Sequence, residues 1–442
     1  MKFYSTNHES KPVSLEEALL QGQAPDKGLY MPEKIPKLTD KQIQSFEDKE
    51  YWQIAHSILR KFVSEKSIPE EKLAEMCKSA YNFSVPIEKA GDFYIMRLDQ
   101  GPTASFKDFA ARMMARMLDY YCEKRNKKLT ILTATSGDTG SAVANAFNDS
   151  KNIEMIVLFP EKEVSERQRK LMTTLRNKAI AINGKFDDCQ ALVKKAFSDP
   201  DLKYMNLSSA NSINIGRLLP QSVYYFYAQS RIKDKVIFSV PSGNFGDLMG
   251  GLIAREMNLP VERFIVAVNE NDEVPKFFEN GEYSPIKPSK NCLSNAMNVG
   301  HPSNLARVFD LYNGNMDENG IVHKTPDIAK MRADFYAKSI TDKITIKTIN
   351  QAYKNSKLIL EPHGAVAYAA AKEYSKNYAR ECPIVCLETA HPAKFPEVIM
   401  QETGIDPELP ESMKKLEGKK ENYLFMDNSY EKFKSFLLNQ SY

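Results

Sequence analysis

The chain has 442 residues, of which 42% are hydrophobic and 26% are charged, and this composition excludes a largely disordered protein. Sixty basic against fifty-seven acidic side chains leave a formal net charge of +3, which is too small to indicate a nucleic-acid partner. The length predicts two or three domains, each with a core of its own, and makes a multidomain enzyme the default class.

The first ninety residues have a pattern different from the rest of the chain. Helical patterns at 50–64 and 70–81 are interrupted by prolines at 32, 36, 69 and 86, and strands do not alternate with helices there. We therefore predict that residues 1–90 form a mainly helical amino-terminal extension.

From residue 129 onward, apolar runs rich in β-formers alternate with amphipathic helical patterns. The predicted strands are 129–135, 153–159, 179–182, 236–240, 264–268 and 384–387. The predicted helices are 166–176, 188–197, 217–232, 248–257 and 326–339. This alternation is typical of βαβ units on parallel sheets, so the predicted fold class is α/β.

A charged stretch at 233–235 is the best candidate for a boundary within the α/β part. It divides the chain into a first α/β lobe at 91–234 and a second at 235–442, each expected to have three layers and a mostly parallel sheet. Loops and insertions are expected at 269–319, which is polar and contains glycine.

Lys107 opens a helical pattern after Gly101 and Pro102. The positive end of the helix dipole and local desolvation both favour the neutral amine, which is the form that attacks a carbonyl. Taken alone, a lysine is most often an ordinary solvated side chain. The hypothesis of covalent chemistry at Lys107 therefore depends on its neighbours.

Two glycine-rich turns, at 136–140 and 242–247, each follow a predicted strand and precede a predicted helix. Such turns direct backbone N–H groups at an anion. The second contains Gly243 and Gly246, which permit close approach of a ligand, and it lacks lysine and arginine, which suits a phosphate held by backbone dipoles. Helix caps use the same residue types, and that alternative stays open. Together with Lys107, the turns predict a pyridoxal phosphate site.

A third polar cluster lies at 211–217, where Asn211, Ser212, Asn214 and Arg217 precede a helical pattern. The guanidinium fork matches phosphate geometry, although a helix cap followed by a surface arginine is the alternative. The segment 388–394 follows the last predicted strand, at the sheet edge where α/β proteins bind ligands. His391 in this segment is a candidate for substrate contact or for a structural role.

Five strings in this order resemble the threonine synthase family, which belongs to the β-family of pyridoxal phosphate enzymes. They are GPTASFKDF at 101–109, LTATSGDTGSAVA at 132–144, SANSINIGRLL at 209–219, VPSGNFGDL at 240–248 and ETAHPAKF at 388–395. The resemblance covers nearly the whole chain, and residues 28–32 resemble the extension of the family's longer branch. It implies a tryptophan synthase β-like fold for the two lobes and pyridoxal 5'-phosphate as cofactor.

The resemblance also implies roles for individual residues. Lys107 would be the Schiff-base lysine and would move protons during turnover. The cofactor phosphate would be bound by Gly243, Asn244, Phe245, Gly246 and Asp247, and the pyridine nitrogen by Thr389. The substrate carboxylate would be bound by Ser136, Gly137 and Thr139, and the substrate phosphate by Asn211, Ser212, Asn214 and Arg217.

Two aspartates raise an electrostatic question. Related enzymes usually have asparagine at the position of Asp138, which is counted with the cofactor-binding residues, and an ionised carboxylate there would repel the cofactor phenolate. We therefore expect Asp138 to be protonated or to point away from the ring. Asp247 lies at the edge of the predicted phosphate cradle, and we expect it to cap a helix and face away from the anion.

The activity implied by the resemblance is conversion of O-phospho-L-homoserine and water to L-threonine and phosphate, the last step of threonine biosynthesis. Two alternatives stay open: a phospholyase that releases 2-oxobutyrate, and a catalytically inert homologue that only binds the cofactor. A simple hydroxy-amino-acid dehydratase would not need the 211–217 cluster, and the lysine of a phosphotransferase P-loop is missing.

No apolar run approaches the ~20 residues of a membrane helix, and residues 1–20 lack the apolar segment of a secretory signal. The six cysteines and six histidines show neither disulfide nor metal-ligand spacing. We expect a cytoplasmic protein with no metal and no membrane or nucleic-acid partner, acting on a small molecule as a monomer or weak homodimer.

Overall fold

The structure is a computed structural model that describes residues 1–379 and 382–439. Its strands are β1 (Lys2–Ser5), β2 (Val13–Ser14), β3 (Tyr30–Pro32), β4 (Ile87–Ala90), β5 (Phe93–Arg97), β6 (Leu129–Ala134), β7 (Ile153–Pro160), β8 (Lys178–Asn183), β9 (Leu207–Ser209), β10 (Val236–Pro241), β11 (Val261–Val268), β12 (Asn315–Met316), β13 (Val322–Lys324), β14 (Phe335–Ser339), β15 (Ile384–Glu388) and β16 (Leu424–Asp427).

The helices run between and around these strands. They are α1 (Leu15–Gln21), α2 (Asp40–Gln44), α3 (Tyr51–Leu59), α4 (Glu70–Ala80), α5 (Lys107–Lys124), α6 (Asp138–Phe147), α7 (Glu166–Thr173), α8 (Phe186–Ser198), α9 (Ser222–Ile232), α10 (Gly246–Glu256), α11 (Glu273–Asn280), α12 (Leu305–Leu311), α13 (Ile328–Asp334), α14 (Asp342–Ser356), α15 (Pro362–Asn377), α16 (Pro396–Thr403), α17 (Glu411–Lys414) and α18 (Tyr430–Leu438). Short 3-10 turns occur at 200–205, 215–217, 219–221, 295–297 and 392–394.

Two parallel sheets form the framework. The smaller has the strand order β16-β8-β7-β6-β9 and is parallel throughout. The larger has the order β14-β11-β10-β15-β5-β4, and only the pairing of β4 with β5 is antiparallel. Every residue of β6, β10 and β15 is buried, as expected for strands covered on both faces by helices. The predicted α/β class with mostly parallel sheets is confirmed.

The sheets do not divide at the predicted boundaries of 91 and 235. Strand β5, at residues 93–97, pairs with β15 in the larger sheet, although the prediction assigned it to the first lobe. Strand β16, at residues 424–427, pairs with β8 in the smaller sheet, although the prediction assigned it to the second lobe. The first strands of the α/β part therefore belong to the larger sheet, and its last strand belongs to the smaller one. Pairing between segments so far apart cannot be predicted from local sequence patterns.

Three local predictions also differ from the structure. The first ninety residues contain the antiparallel sheet β2-β1-β3 in addition to helices. The predicted helix at 326–339 ends at Asp334, and the chain continues as edge strand β14. The helix predicted to start at Arg217 begins at Ser222, because Pro220 lies in a 3-10 turn and lacks the N–H that a helix interior requires.

The core is arranged around the two sheets. One large cluster joins the amino-terminal segment to helices α5, α9 and α10 and includes the fully buried Phe3, Ile54 and Phe109. Two further clusters lie on the opposite faces, one beneath α14 and α15 and one beneath α8 and α18. In the part of the chain that the structure describes, no helix is long and apolar enough to cross a membrane.

Candidate active site

A cavity of about 360 Å³ opens at the carboxyl ends of strands from both sheets. The loops that line it follow β6, β10 and β15, which is where α/β sheets bind ligands. Among its lining residues are thirteen predicted site residues: Lys107, Ser136, Asp138, Thr139, Asn211, Ser212, Arg217, Gly243, Asn244, Phe245, Gly246, Asp247 and Thr389. Gly137 and Asn214 were also predicted, and they do not line it.

Lys107 is the first residue of helix α5, as predicted, and its side chain is 14% exposed. The ammonium lies 4.5 Å from the centre of the Phe106 ring, which shields one side of the amine. Burial lowers the pKa of Lys107 to about 8; Asp138 acts in the opposite direction, and Lys394 and Arg217 reinforce the lowering. A substantial fraction of Lys107 is therefore a neutral, nucleophilic amine close to neutral pH.

The segment that carries Thr389 is fixed beside Lys107 by backbone pairing. The Phe106 N–H donates to the Thr389 carbonyl at 2.9 Å, and the His391 N–H donates to the Ala104 carbonyl at 3.0 Å. Ala104 itself has a left-handed backbone with φ of 52°, a conformation that costs free energy for a residue with a Cβ atom. The backbone thus holds Thr389 and Lys107 at one wall of the cavity.

The contacts of Asp138 favour its ionised form over the protonated alternative expected from the sequence. Its Oδ1 lies 2.8 Å from Nζ of Lys394 and accepts a hydrogen bond from Nε2 of Gln168 at 3.0 Å, while Oδ2 lies 3.9 Å from Nζ of Lys107. Burial acts to raise the pKa of Asp138, but the two lysines outweigh it and hold that pKa far below its ordinary value. The side chain lines the cavity as a neutralised carboxylate.

The turn at 136–140 begins helix α6. Gly137 adopts φ of 131°, where a Cβ atom is strained and would also lie 2.8 Å from the Gln168 side chain. Its N–H donates to Oγ1 of Thr135 at 2.9 Å, so this N–H is used within the turn. The N–H groups of Asp138 and Thr139 have no acceptor among the described residues, and they remain available to an anion.

The turn at 242–247 has the form of an anion cradle. Gly243 is required because a Cβ atom there would lie 2.7 Å from the Ala296 carbonyl oxygen, and Phe245 adopts a left-handed φ of 60°. The Asn244 carbonyl accepts a hydrogen bond from Nδ2 of Asn304 at 3.0 Å, which fixes the loop. Within the described chain, the N–H groups from Gly243 to Asp247 have no recorded acceptor, so they can bind an anionic group at the start of α10.

Asp247 lies in the first turn of α10, but its carboxylate bonds tyrosine hydroxyls instead of the backbone N–H groups that the predicted cap would bind. It lines the cavity, and its Oδ1 accepts hydrogen bonds from the hydroxyls of Tyr224 and Tyr225 at 2.5 and 2.7 Å. Its Oδ2 is buried without a partner in the described structure. Burial raises the pKa of Asp247 to about 6, against the lowering effect of the two tyrosines.

The cluster at 211–217 brings a buried cation to the cavity wall. Arg217 is 3% exposed, and its Nη1 donates to the Ala210 carbonyl at 2.6 Å, while Nε is buried without a partner among the described residues. Asn211 and Ser212 line the same wall. A buried guanidinium with an unused donor has the geometry and charge to bind an anionic oxygen.

Asn214 was predicted to bind substrate, and in the structure its side chain bonds the surrounding backbone. Its Nδ2 donates to the carbonyls of Leu19 and Ser209, and its Oδ1 accepts from the Gly216 N–H. Both the nitrogen and the oxygen of the Asn214 amide are thus hydrogen-bonded to the backbone. Asn214 therefore shapes the cluster and links it to the amino-terminal segment.

Some residues at the site were missed from the sequence. Lys394 is fully buried beside Asp138, and Gln168 bonds the same carboxylate. His363 also lines the cavity, and its Nε2 accepts the Ala296 N–H at 3.1 Å. Only Lys394 had a signal, because it lies in the 388–395 string; its partner could not be deduced from spacing. His391 caps the 392–394 turn and does not line the cavity, which favours the structural alternative.

Three family models match the chain. One is described as pyridoxal-phosphate dependent enzyme and matches residues 80–389, and two are described as threonine synthase N terminus and threonine synthase, C-terminal, at residues 2–81 and 364–437. Among curated relatives, the threonine synthase of Haemophilus influenzae is 40% identical over 446 aligned positions, which cover 99% of this chain and 100% of that one.

Solved structures give the same result. A pyridoxal-phosphate-bound threonine synthase from Brucella melitensis superimposes with a TM-score of 0.91 at 33% identity, covering 99% of this chain and 98% of that one. The threonine synthase of Escherichia coli superimposes with a TM-score of 0.89 at 36% identity and covers 100% of both chains. The similarity therefore extends over the amino-terminal segment as well as both sheets.

Proposed function

The chain belongs to the threonine synthase family of pyridoxal-phosphate-dependent enzymes, and we propose that it converts O-phospho-L-homoserine and water to L-threonine and phosphate. The cofactor is pyridoxal phosphate. The main support for this substrate is Arg217, which is buried and whose Nε has no partner among the described residues. Arg217 could therefore bind a second anionic group, in addition to the one bound by the N–H groups at 243–247.

The residues of the cavity fit the cofactor. Lys107 offers a buried amine with a pKa of about 8, and the turn at 243–247 offers unpartnered N–H groups at a helix start. A Cβ atom at Gly243 would collide with the Ala296 backbone, so the turn is as close-packed as a phosphate cradle requires. We assign Lys107 to covalent attachment, the turn to the cofactor phosphate and Thr389 to the pyridine nitrogen.

When bound, pyridoxal phosphate stores the electron pair that remains after a proton leaves the substrate carbon. Lys107 provides the base for this step. With the cofactor bound, its Nζ would accept the Cα proton of the substrate and later return a proton to that carbon. A pKa of about 8 suits this task, since the amine must both accept and release protons near neutral pH.

The remaining groups orient the substrate. The unpartnered N–H groups of Asp138 and Thr139 receive its carboxylate at the start of α6, together with Ser136. Arg217 and Ser212 receive its phosphate, and the guanidinium stabilises the charge that grows on the leaving group. Nζ of Lys107 would also accept a proton from Cβ, so that phosphate can leave from Cγ, and Cγ would then gain a proton. Water would add its hydroxyl group at Cβ and give its remaining proton to the departed phosphate, and the product is threonine.

A product assay tests this proposal. The purified protein with pyridoxal phosphate is incubated with O-phospho-L-homoserine, and threonine, 2-oxobutyrate and phosphate are quantified. We expect threonine and phosphate in equal amounts, with little 2-oxobutyrate. Predominant 2-oxobutyrate would identify a phospholyase, and release of neither product would identify an inert homologue.

Lys107→Ala is the matched control for that assay. It should abolish threonine formation and the absorbance band of covalently attached cofactor. In the unsubstituted protein, borohydride reduction should make the link between the cofactor and Lys107 permanent. If mass spectrometry located the reduced cofactor on another lysine, the assignment of Lys107 would be wrong.

We further propose that the chain acts in the cytoplasm as a monomer or weak homodimer, with a small molecule and neither nucleic acid nor membrane as partner. The thiols of Cys77, Cys122, Cys189 and Cys386 are buried and unpaired, which supports a reducing compartment. All the groups assigned above belong to one chain, which supports activity without a contribution from a second copy. Size-exclusion chromatography with light scattering measures the oligomeric state.

A further inference from the structure

Three charged side chains lie in a row at the wall of the cavity. Asp138 is in the centre, with Nζ of Lys394 at 2.8 Å from its Oδ1 and Nζ of Lys107 at 3.9 Å from its Oδ2. Asp138 and Lys107 line the cavity, whereas Lys394 is fully buried behind Asp138. Lys394 does not line the cavity, so it acts on Lys107 by pairing with Asp138 and by direct charge repulsion.

The local structure is built to hold Lys394 in this place. Its carbonyl accepts from Oγ of Ser165 at 3.4 Å, and the neighbouring Ala393 carbonyl accepts from Nη1 of Arg167 at 2.8 Å, so the start of α7 holds the 392–394 turn. From the same helix, Gln168 donates to Oδ1 of Asp138. Burial of a lysine in such a position is costly unless its charge has a partner, and Asp138 is that partner.

We propose that Lys394 is a positioning residue that neutralises Asp138, so that Lys107 keeps a neutral amine instead of forming a tight ion pair with the carboxylate. The inference rests on the proposed role of Lys107 in cofactor attachment. Without Lys394, the buried Asp138 would have Lys107 as its nearest cation, and this attraction would stabilise the charged ammonium. The separation of 2.8 Å on one side and 3.9 Å on the other shows which lysine the carboxylate binds.

Other charged groups also act on this row, and they are the same in every variant below. The charges of Arg217 and Glu361 shift the pKa of Lys107, in addition to those of Asp138 and Lys394. Lys107 in turn lowers the pKa of Asp247. Asp138 additionally experiences His363. Because these groups stay in place, a difference between variants at positions 138 and 394 reports on the row itself.

The experiment measures cofactor attachment as a function of pH. Full-length protein freed of cofactor is mixed with pyridoxal phosphate, and the absorbance change of covalent attachment gives a rate at each pH from 6 to 10. The unsubstituted protein should show a midpoint near the Lys107 pKa of about 8. Lys394→Met should move the midpoint upward by about one pH unit, which lowers the rate at pH 7.5 about tenfold. Lys394→Arg should restore the original midpoint.

Asp138→Asn should shift the pH midpoint of cofactor attachment downward, opposite to Lys394→Met. It removes the carboxylate and leaves Lys394, so the midpoint should fall below that of the unsubstituted protein. The double variant Asp138→Asn with Lys394→Met should also have a lower midpoint than Lys394→Met alone, because it lacks the carboxylate that would stabilise the Lys107 ammonium. Lys170→Met is the control, since its ammonium pairs with Glu166 on an outer turn of α7 and should leave the midpoint unchanged.

The outcomes separate the inference from the proposed function. An unchanged midpoint in Lys394→Met, or a double variant equal to Lys394→Met, would overturn the role of Lys394. If circular dichroism showed Lys394→Met to be unfolded, Asp138→Asn would decide, and a midpoint that stays or rises would overturn the inference. Failure of the unsubstituted protein to attach cofactor at any pH would instead refute the assignment of Lys107.

Discussion

Lys107 and Arg217 are two buried cations in one cavity, and their surroundings suit them to different tasks. Burial brings the Lys107 pKa to about 8, so the amine can change its protonation state at working pH. Burial also lowers the Arg217 pKa, but only to about 10, so the guanidinium keeps its charge. The first is thus able to move protons, whereas the second provides a fixed charge for an anion.

Replacing Arg217 by methionine tests its assignment to the substrate phosphate. Charge-assisted hydrogen bonds of this kind contribute about 2–3 kcal/mol, so kcat/KM for O-phospho-L-homoserine should fall about 100-fold. Affinity for pyridoxal phosphate should change only a few-fold, because the cofactor phosphate is assigned to the turn at 243–247. Steady-state kinetics and cofactor titration measure the two effects, and an equal loss in both would place Arg217 at the cofactor.

Asp247 gives a prediction about stability and pH. Its folded-state pKa of about 6 lies above the ~3.9 of an unfolded aspartate, so the folded protein holds this proton more tightly. The resulting contribution to stability is fully present below about pH 4 and is lost as pH rises through about 6. Relative to Asp247→Asn, the unsubstituted protein should lose on the order of 3 kcal/mol between pH 4 and pH 7.

Melting temperatures of the cofactor-free proteins at pH 4 and pH 7 check this. From pH 4 to pH 7, the melting temperature of the unsubstituted protein should fall relative to that of Asp247→Asn. A difference that is the same at both pH values would show that Asp247 titrates normally.

The residue types at the site were identifiable from sequence, but their pairing was not. Lys107 and the turn at 243–247 could be recognised because a strand, a glycine-rich turn and a helix start follow one another locally. Asp138 and Lys394 are far apart in sequence, so no spacing rule predicts that they form an ion pair. For this reason the sequence left the ionisation of Asp138 in doubt, whereas the contacts of the folded chain determine it.

At the scale of elements, the sequence predicts buried strands well and exposed edge strands poorly. Strand β10 is mostly apolar and buried at every residue, and its limits agree with the prediction to within one residue. Strands β14 and β16 lie at sheet edges. β14 ends in Lys338 and Ser339, and β16 has only four residues, so neither shows the long apolar run of a covered strand. Pairing across the sheet, not local propensity, makes these segments extended.

The carboxyl-terminal helix α18 provides an element-scale test of this packing. Phe433 is fully buried in the cluster beneath α8, whereas Phe425 on β16 is 56% exposed. Phe433→Ala should destabilise the protein by about 3–5 kcal/mol because it leaves a cavity, and Phe425→Ala should cost less than about 1 kcal/mol. Thermal denaturation of both variants measures this, and equal effects would mean that α18 does not pack as described.

At the scale of the whole molecule, the amino-terminal segment supports the site in addition to extending the core. Arg307 is fully buried and donates to the carbonyls of Tyr30, Ser212 and Ile213, and its neighbour Asn304 bonds the Asn244 carbonyl. Strand β3, the proposed substrate-phosphate cluster and the proposed cofactor-phosphate cradle are therefore held in one network. The geometry of the cavity thus depends on segments that are distant in the sequence.

The central claim is that two phosphates bind in one cavity, one belonging to the cofactor and one to the substrate. A crystal structure of the protein with pyridoxal phosphate and a non-hydrolysable phosphonate analogue of O-phospho-L-homoserine tests it most directly. We predict that the cofactor phosphate contacts the N–H groups of the turn at 243–247 and that the phosphonate lies within hydrogen-bonding distance of Arg217 and Ser212. A phosphonate bound away from Arg217, with that guanidinium still unpartnered, would contradict the claim.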